Sequence, residues 1–244
     1  MSKHFEALRR IEQEQVVVPA EVPLHIAPLP DPKDVIKVCG TKVCASAEII
    51  KFVHVLFHSS VNGPHHVLFC GVGGGDSSGN ICVSAAKALA GEVSGRVCIV
   101  DANIPEAPQQ RAETGGFAFR SLNVEQNGSI AQRIDRNLWF VSAERLRSLG
   151  SSHDGSEQIC LTIRDLQKEF EYVLIDAPPL GQFTIASVLG QVTDGAVLIL
   201  EANVTRRVAA RSAKQTLDAA NVRVLGTVLN NRTFPIPEKL YRWL

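Results

Sequence analysis

The sequence has no surplus of charge: 25 lysines and arginines stand against 25 aspartates and glutamates in 244 residues. Without a basic excess the chain lacks the electrostatic footprint of bulk nucleic-acid binding. It also lacks any apolar run near the roughly 20 residues that a membrane-crossing helix requires. Its charged, amphipathic opening contains no apolar signal-peptide core. The six cysteines, Cys39, Cys44, Cys70, Cys82, Cys98 and Cys160, include no C-x-x-C pair, so their spacing does not suggest a metal or redox site. Cys39, Cys70, Cys82 and Cys98 lie among or after apolar residues and read as small buried thiols. No long internal repeat is visible, which argues against a solenoid. These absences leave a reduced, cytoplasmic α/β protein as the expectation.

One further absence bears on function. Residues 71–82, "GVGGGDSSGNIC", form a glycine-rich stretch between an apolar run and an alanine-rich one, yet contain no lysine. A phosphate-binding loop curls backbone N–H groups around phosphate oxygens at a helix N-terminus, and a lysine bridges the outer phosphates. Laid on Gly74 and Gly79, the usual pattern puts Asn80 at the lysine position and Ile81 at the metal-binding hydroxyl. Counted back from the helix, it puts Ser78 and Gly79 there. Both registers lack both side chains. Lys87 lies about two turns into the helix, too far to reach back, and Asp76 adds negative charge to the cradle. The backbone donors of Gly73, Gly74, Gly75, Ser77, Ser78, Gly79 and Asn80 remain as the candidate nucleotide-binding set. The alternative is a ligand-free helix cap rich in Gly and Ser.

Around this loop the chain alternates. Short, nearly continuous apolar runs at 67–71, 97–101, 138–142, 172–176, 195–201 and 223–229 read as strands buried on both faces. Helical periodicity fills 80–91, 157–170 and 205–220, and "AEIIKFVHVLF" (47–57) reads as a flanking helix. The Ser- and Gly-rich stretch 144–156 reads as a mobile loop. The pattern predicts an α/β fold: a doubly wound, mainly parallel sheet flanked by helices, a three-layer P-loop NTPase-like sandwich with ligands at the carboxyl ends of the strands. An amphipathic arm (1–15) and a linker (16–45), with five prolines between Val16 and Asp34, precede the domain at 46–237, and a tail (238–244) follows. Two strands end in aspartate, Asp101 and Asp176. Both carboxylates are expected on the edge that carries the glycine loop, where they would hold Mg²⁺ or orient an attacking group.

The order of glycine loop, "VCIVDAN", "FEYVLIDAPP" and "GAVLILEANVTRRVAARSAKQTLDAANVRVLGTVLNN" resembles the MinD/ParA-like P-loop proteins. Among them it is most similar to the cytoplasmic bacterial tyrosine kinases of capsule and exopolysaccharide production. The likeness spans roughly residues 45–237, with the opening "FEALRRIEQE" as a further match. It implies ATP or ADP with Mg²⁺ as ligand, Asp101 and Asp176 as the metal-linked and catalytic pair, and Asn230 at the base, with Asn231 sharing that role or merely beginning a turn. It also implies a membrane polysaccharide copolymerase as partner, peripheral placement at the inner membrane through it, and a homo-oligomer. Four departures point the other way. The loop lysine and hydroxyl are gone, Asn103 and Pro105 replace a second aspartate and an arginine, the flanking helix has no arginine, and only Tyr172 and Tyr241 remain as tyrosines. The reading is a regulatory or scaffolding protein with weak nucleotide binding. The alternatives are an active tyrosine autokinase or ATPase of the same family, and a MinD/ParA-like positioning ATPase relative.

Three smaller features complete the reading. His65–His66 fits a turn better than a metal site. Arg206, Arg207, Arg211 and Lys214 share a helix face, either solvated or in contact with an acidic partner. Phe234, Tyr241, Trp243 and Leu244 either fold back on the core or engage a partner.

Overall fold

The computed structural model describes residues 35–37, 47–59, 62–73, 77–104, 119, 130–149, 155–181 and 184–232, all within the compact unit Pro32–Leu244. The amphipathic arm, most of the linker, Cys39, Cys44, Gly74, Gly75, Asp76, Pro105 and the tail with Phe234 and Tyr241 lie outside them.

In chain order the elements are β1 (Val35–Lys37), α1 (Ala47–His58), β2 (His66–Val72), α2 (Ser77–Glu92), β3 (Val97–Asp101), β4 (Gln132–Asp135), β5 (Leu138–Val141), α3 (Ala143–Leu149), α4 (Gly155–Glu169), β6 (Tyr172–Leu180), α5 (Ile185–Gly190), β7 (Gly195–Glu201), α6 (Arg207–Ala219) and β8 (Val224–Asn230). One sheet of eight strands runs β1-β8-β7-β2-β6-β3-β5-β4. Every pairing is parallel except β4 with β5. The mainly parallel, doubly wound sheet read from the sequence is therefore the architecture found.

Alternation within the strands builds the three layers. Val67, Phe69, Val97, Ile99, Leu174 and Val197 point to one face, where α1 and α2 bury Phe52, Val53, Ile81, Ala85 and Leu89. Leu68, Cys70, Cys98, Val100, Ile175 and Leu198 point to the other, under Leu146 of α3, Ile159 and Ile163 of α4, Leu189 of α5 and Leu217 of α6. Each large side chain buried this way contributes on the order of 2 kcal/mol. Cys70, Cys82 and Cys98 are fully buried, and burial pushes all three thiols up, which leaves them inert as nucleophiles. Among the described residues no helix is long and apolar enough to cross a membrane.

The stretch 144–156 is not all loop, because residues 143–149 form α3. Leu146 is fully buried, Ser142 accepts hydrogen bonds from the Arg145 and Leu146 backbone N–H groups, and Glu144 favours the first turn. One buried leucine and a cap outweigh the Ser and Gly content that suggested a loop. β6 runs on through Pro178 and Pro179 to Leu180. Its register with β2 shifts there, which accommodates the two missing N–H donors at the strand's end. Val35–Lys37, within the stretch read as linker, adds an edge strand beside β8.

Gly195 opens β7 where β8 passes close: a Cβ there would lie 2.5 Å from the Arg223 carbonyl oxygen and 2.7 Å from Leu225 Cγ. Gly195→Ala is expected to cost about 2–3 kcal/mol, as overpacking against rigid backbone does. Urea denaturation of the two proteins reads that difference directly.

Candidate functional site

Five adjacent strands, β8, β7, β2, β6 and β3, present their carboxyl ends on one edge of the sheet. Neighbouring strands lie about 4.8 Å apart, so the edge from Asn230 to Asp101 spans roughly 19 Å. Asp101 closes β3, whereas Asp176, read from the sequence as the end of its strand, lies inside β6, which runs four residues farther; the two are direct cross-strand partners. The sequence placed both carboxylates on this edge, and the register sets them side by side.

Asn103 joins them. Its backbone N–H donates to Asp101 Oδ1 at 3.0 Å. Its side-chain Nδ2 donates to Asp176 Oδ2 at 2.6 Å and to Asp101 Oδ1 at 3.3 Å. The Ala102 N–H adds a bond to the Asp176 carbonyl at 2.8 Å. Asp176 is fully buried and Asp101 is 8% exposed. Burial pushes the Asp101 carboxyl up to about 6, against the lowering effect of the two Asn103 bonds. A neutral amide thus stands where a third carboxylate would have raised the charge density further.

Between β2 and α2 lies the glycine-rich stretch read as a phosphate cradle, of which Gly74, Gly75 and Asp76 fall outside the described residues. Gly73 has φ +102, a left-handed conformation in which glycine carries no Cβ penalty. Helix α2 begins at Ser77. Ser78, the lysine position in the register counted back from the helix, therefore falls in its first turn. Ser77, Ser78 and Gly79 are buried, whereas Asn80 is exposed on the outer side of α2. No lysine or arginine occurs from Gly71 to Ala86, and Lys87 is exposed farther along the helix. A hydrogen bond not foreseen from the sequence occupies the start of the helix. Ser77 Oγ donates to Glu201 Oε1 at 2.9 Å, placing a carboxylate of β7 where α2 presents its positive end. Thr205 holds that corner: the Glu201 N–H donates to Thr205 Oγ1 at 2.8 Å, and Thr205 Oγ1 donates to the Val72 carbonyl at 3.3 Å. The sequence shows "GAVLILE" as an apolar strand closed by an acid, but nothing in it names Ser77, 124 positions away, as that acid's partner.

Asn230 ends β8 opposite Glu201. Asn231 is exposed with φ +55, the conformation of a residue that ends a strand and begins a turn. Tyr172 is buried in β6, with its ring stacked on His65 and edge-on to Phe57. The backbone N–H groups of His65 and His66 both donate to Asp194 Oδ2, at 2.7 and 2.8 Å. No metal-binding cluster occurs among the described residues.

For an ATP–Mg²⁺ ligand the two halves of the site differ. Asp101 and Asp176 offer the carboxylate oxygens that a hydrated divalent cation takes directly or through water, but both are buried and bonded to Asn103. The phosphate half does not fit: it offers a carboxylate hydrogen-bonded to Ser77, and the loop and first turns supply no cation.

No family model matches the chain. Over 117 residues it is 34% identical to the tyrosine-protein kinase CpsD of Streptococcus pneumoniae serotype 4, covering 48% of this chain and 52% of that one. Over 158 residues it is 29% identical to the putative tyrosine-protein kinase CapB of Staphylococcus aureus, covering 63% and 67%. The match to CpsD of Streptococcus agalactiae, at 31% identity, spans only 30% of that protein. Among solved structures, the chimerical protein CapA2B2 superimposes with a TM-score of 0.64 at 15% identity, covering 82% of this chain and 95% of that one. The VpsO kinase domain gives 0.57 at 20% identity, over 78% and 95%. The MinC:MinD complex of Aquifex aeolicus gives 0.50 at 15% identity, over 73% and 72%. The chain is thus a homologue of bacterial tyrosine-protein kinases, built on the P-loop NTPase-like fold that MinD also carries.

Proposed function

We propose that the chain is a tyrosine-kinase relative with a degenerate phosphate site that works as a regulatory or scaffolding partner in capsule or exopolysaccharide assembly. The observation that carries this reading is the Ser77–Glu201 hydrogen bond at the start of α2, in a stretch without lysine or arginine from Gly71 to Ala86. Phosphoryl transfer depends on positive charge held where negative charge develops. A fixed carboxylate at that place opposes it, so nucleotide binding is weak and turnover negligible. A CapA-like membrane protein is the proposed partner, supported by the structural likeness to the CapA2B2 chimera. Peripheral placement at the membrane follows from that partnership.

The test is incubation of the purified protein with radiolabelled ATP and Mg²⁺, followed by phosphoamino-acid analysis and phosphate release. The expected result is neither self-labelling nor release above buffer. Labelling on tyrosine that disappears in Asp101→Ala and Asp176→Ala would overturn the proposal in favour of an active kinase.

A further inference from the structure

Helix α6 opens with its charges against its own dipole. A helix N-terminus carries a partial positive charge, which Glu48, Glu144 and Glu157 answer in the first turns of α1, α3 and α4, while α2 and α5 have neither an acid nor a base there. The first turn of α6 has no acid, and its N-cap, Arg206, makes no side-chain capping bond. Arg207 and Arg211 follow at i, i+4 spacing. All three arginines are exposed and none forms an ion pair among the described residues. Lys214, which shares their side of the helix, is already neutralised by Asp218 at 2.6 Å. Beside the arginines, Val204 is 70% exposed and Val208 77%, the most exposed large hydrophobic side chains among the described residues. Ala213 and Leu217 anchor the opposite side of the helix in the core. The fold therefore gains nothing from the outward residues, and the two cations at the positive helix end, Arg206 and Arg207, each cost a few tenths of a kcal/mol.

We propose that this outward corner of α6, Val204 and Val208 flanked by Arg206, Arg207 and Arg211, is the docking site for an acidic protein segment that also carries apolar side chains. The proposal rests on the reading that the chain acts through a protein partner, and supplies that partner's chemistry. Guanidinium groups on two successive turns match carboxylates in a bidentate way that lysines do not. The valine pair offers a small dry surface for one or two aliphatic side chains. An anionic membrane fits less well, because polybasic membrane segments carry about 4–8 cations and larger wedge residues. Nucleic acid fits less well because the chain has no basic excess. The corner is also wired to the phosphate end: Thr205, between Val204 and Arg206, holds Glu201 and the end of β2.

The experiment is fluorescence anisotropy of the full chain with a labelled peptide of alternating glutamate and leucine. A lysine–leucine peptide of the same length, and co-sedimentation with phosphatidylserine vesicles, serve as comparisons. Binding of the glutamate–leucine peptide alone is expected. It should weaken at least tenfold in Arg207→Glu/Arg211→Glu and several-fold in Val208→Ser, and fall with added salt. These positions are solvent-facing, so unchanged melting temperatures will separate lost docking from lost folding. Equal binding of both peptides, an unchanged affinity in the variants, or sedimentation with vesicles in the absence of peptide binding would overturn the proposal. ATP labelling measured on the same samples keeps the two readings apart: silent ATP chemistry without peptide binding removes only the docking site.

Discussion

Glu201→Gln combined with Ser78→Lys is expected to strengthen binding of Mg-ADP by about two to three orders of magnitude. The two changes act on the same pocket by different physics. Glutamine keeps a partner for Ser77 Oγ, so the hydrogen bond at the start of α2 survives while the carboxylate charge is lost. Removing a like charge near phosphate at the rim of a protein is worth on the order of 1–2 kcal/mol. Lysine at position 78 enters in the first turn of α2, and a charge-assisted contact with phosphate adds roughly 2 kcal/mol. Together these make about 3–4 kcal/mol, and each 1.4 kcal/mol is a factor of ten in affinity. Isothermal titration of the parent, both single variants and the double variant reads the effect. Glu201→Gln alone should already bind about tenfold tighter. If it binds no better than the parent, Glu201 does not govern the phosphate end and the degenerate-site reading loses its main support.

The sheet was legible because parallel strands buried on both faces must be short, apolar and β-branched, and six stretches met that condition. β4 escaped because "QRID" is an antiparallel edge strand with only Gln132 buried, so it has no apolar signature. Helix α3 escaped because its one core residue, Leu146, is surrounded by polar residues. At the site, the neighbourhood of Asp101 and Asp176 could be read from local sequence, since a parallel register pairs them, although β6 continues past Asp176 to Leu180. The roles of Asn103 and Glu201 could not. Asn103 read as a lost carboxylate, and only the folded geometry makes it the amide that joins two others. Glu201 read as the last residue of a strand, and its meeting with Ser77 spans 124 positions of sequence. Asn80, placed at the lysine position in one register, faces solvent, which only the helix start at Ser77 could decide.

Asp101→Asn is expected to stabilise the protein above pH 6 by about 2–3 kcal/mol. Burial raises this carboxyl from 3.8 in the unfolded chain to about 6 in the folded one. Below pH 3.8 both states carry the proton, and the residue costs nothing. Between the two values the unfolded chain has released the proton while the native state still holds it, so stability falls as pH rises through that window. Above pH 6 the full penalty remains, about two pKa units at 1.4 kcal/mol each. Asparagine removes the charge yet can turn its carbonyl oxygen toward the Asn103 donors that now serve Asp101 Oδ1. Asn103→Ala should act in the opposite direction and cost about 1–3 kcal/mol, because it strips hydrogen bonds from two buried carboxylates at once. Urea denaturation in Mg²⁺-free buffer, at intervals from pH 4 to 8, will show whether the parent's decline between about pH 4 and 6 flattens in Asp101→Asn. An identical slope in both proteins would mean that Asp101 ionises in the folded state as freely as in water, and the strain assigned to this strand end would be absent. A flattened slope would mean that the chain keeps a destabilising carboxylate at the edge of its sheet, which folding alone gives no reason to retain.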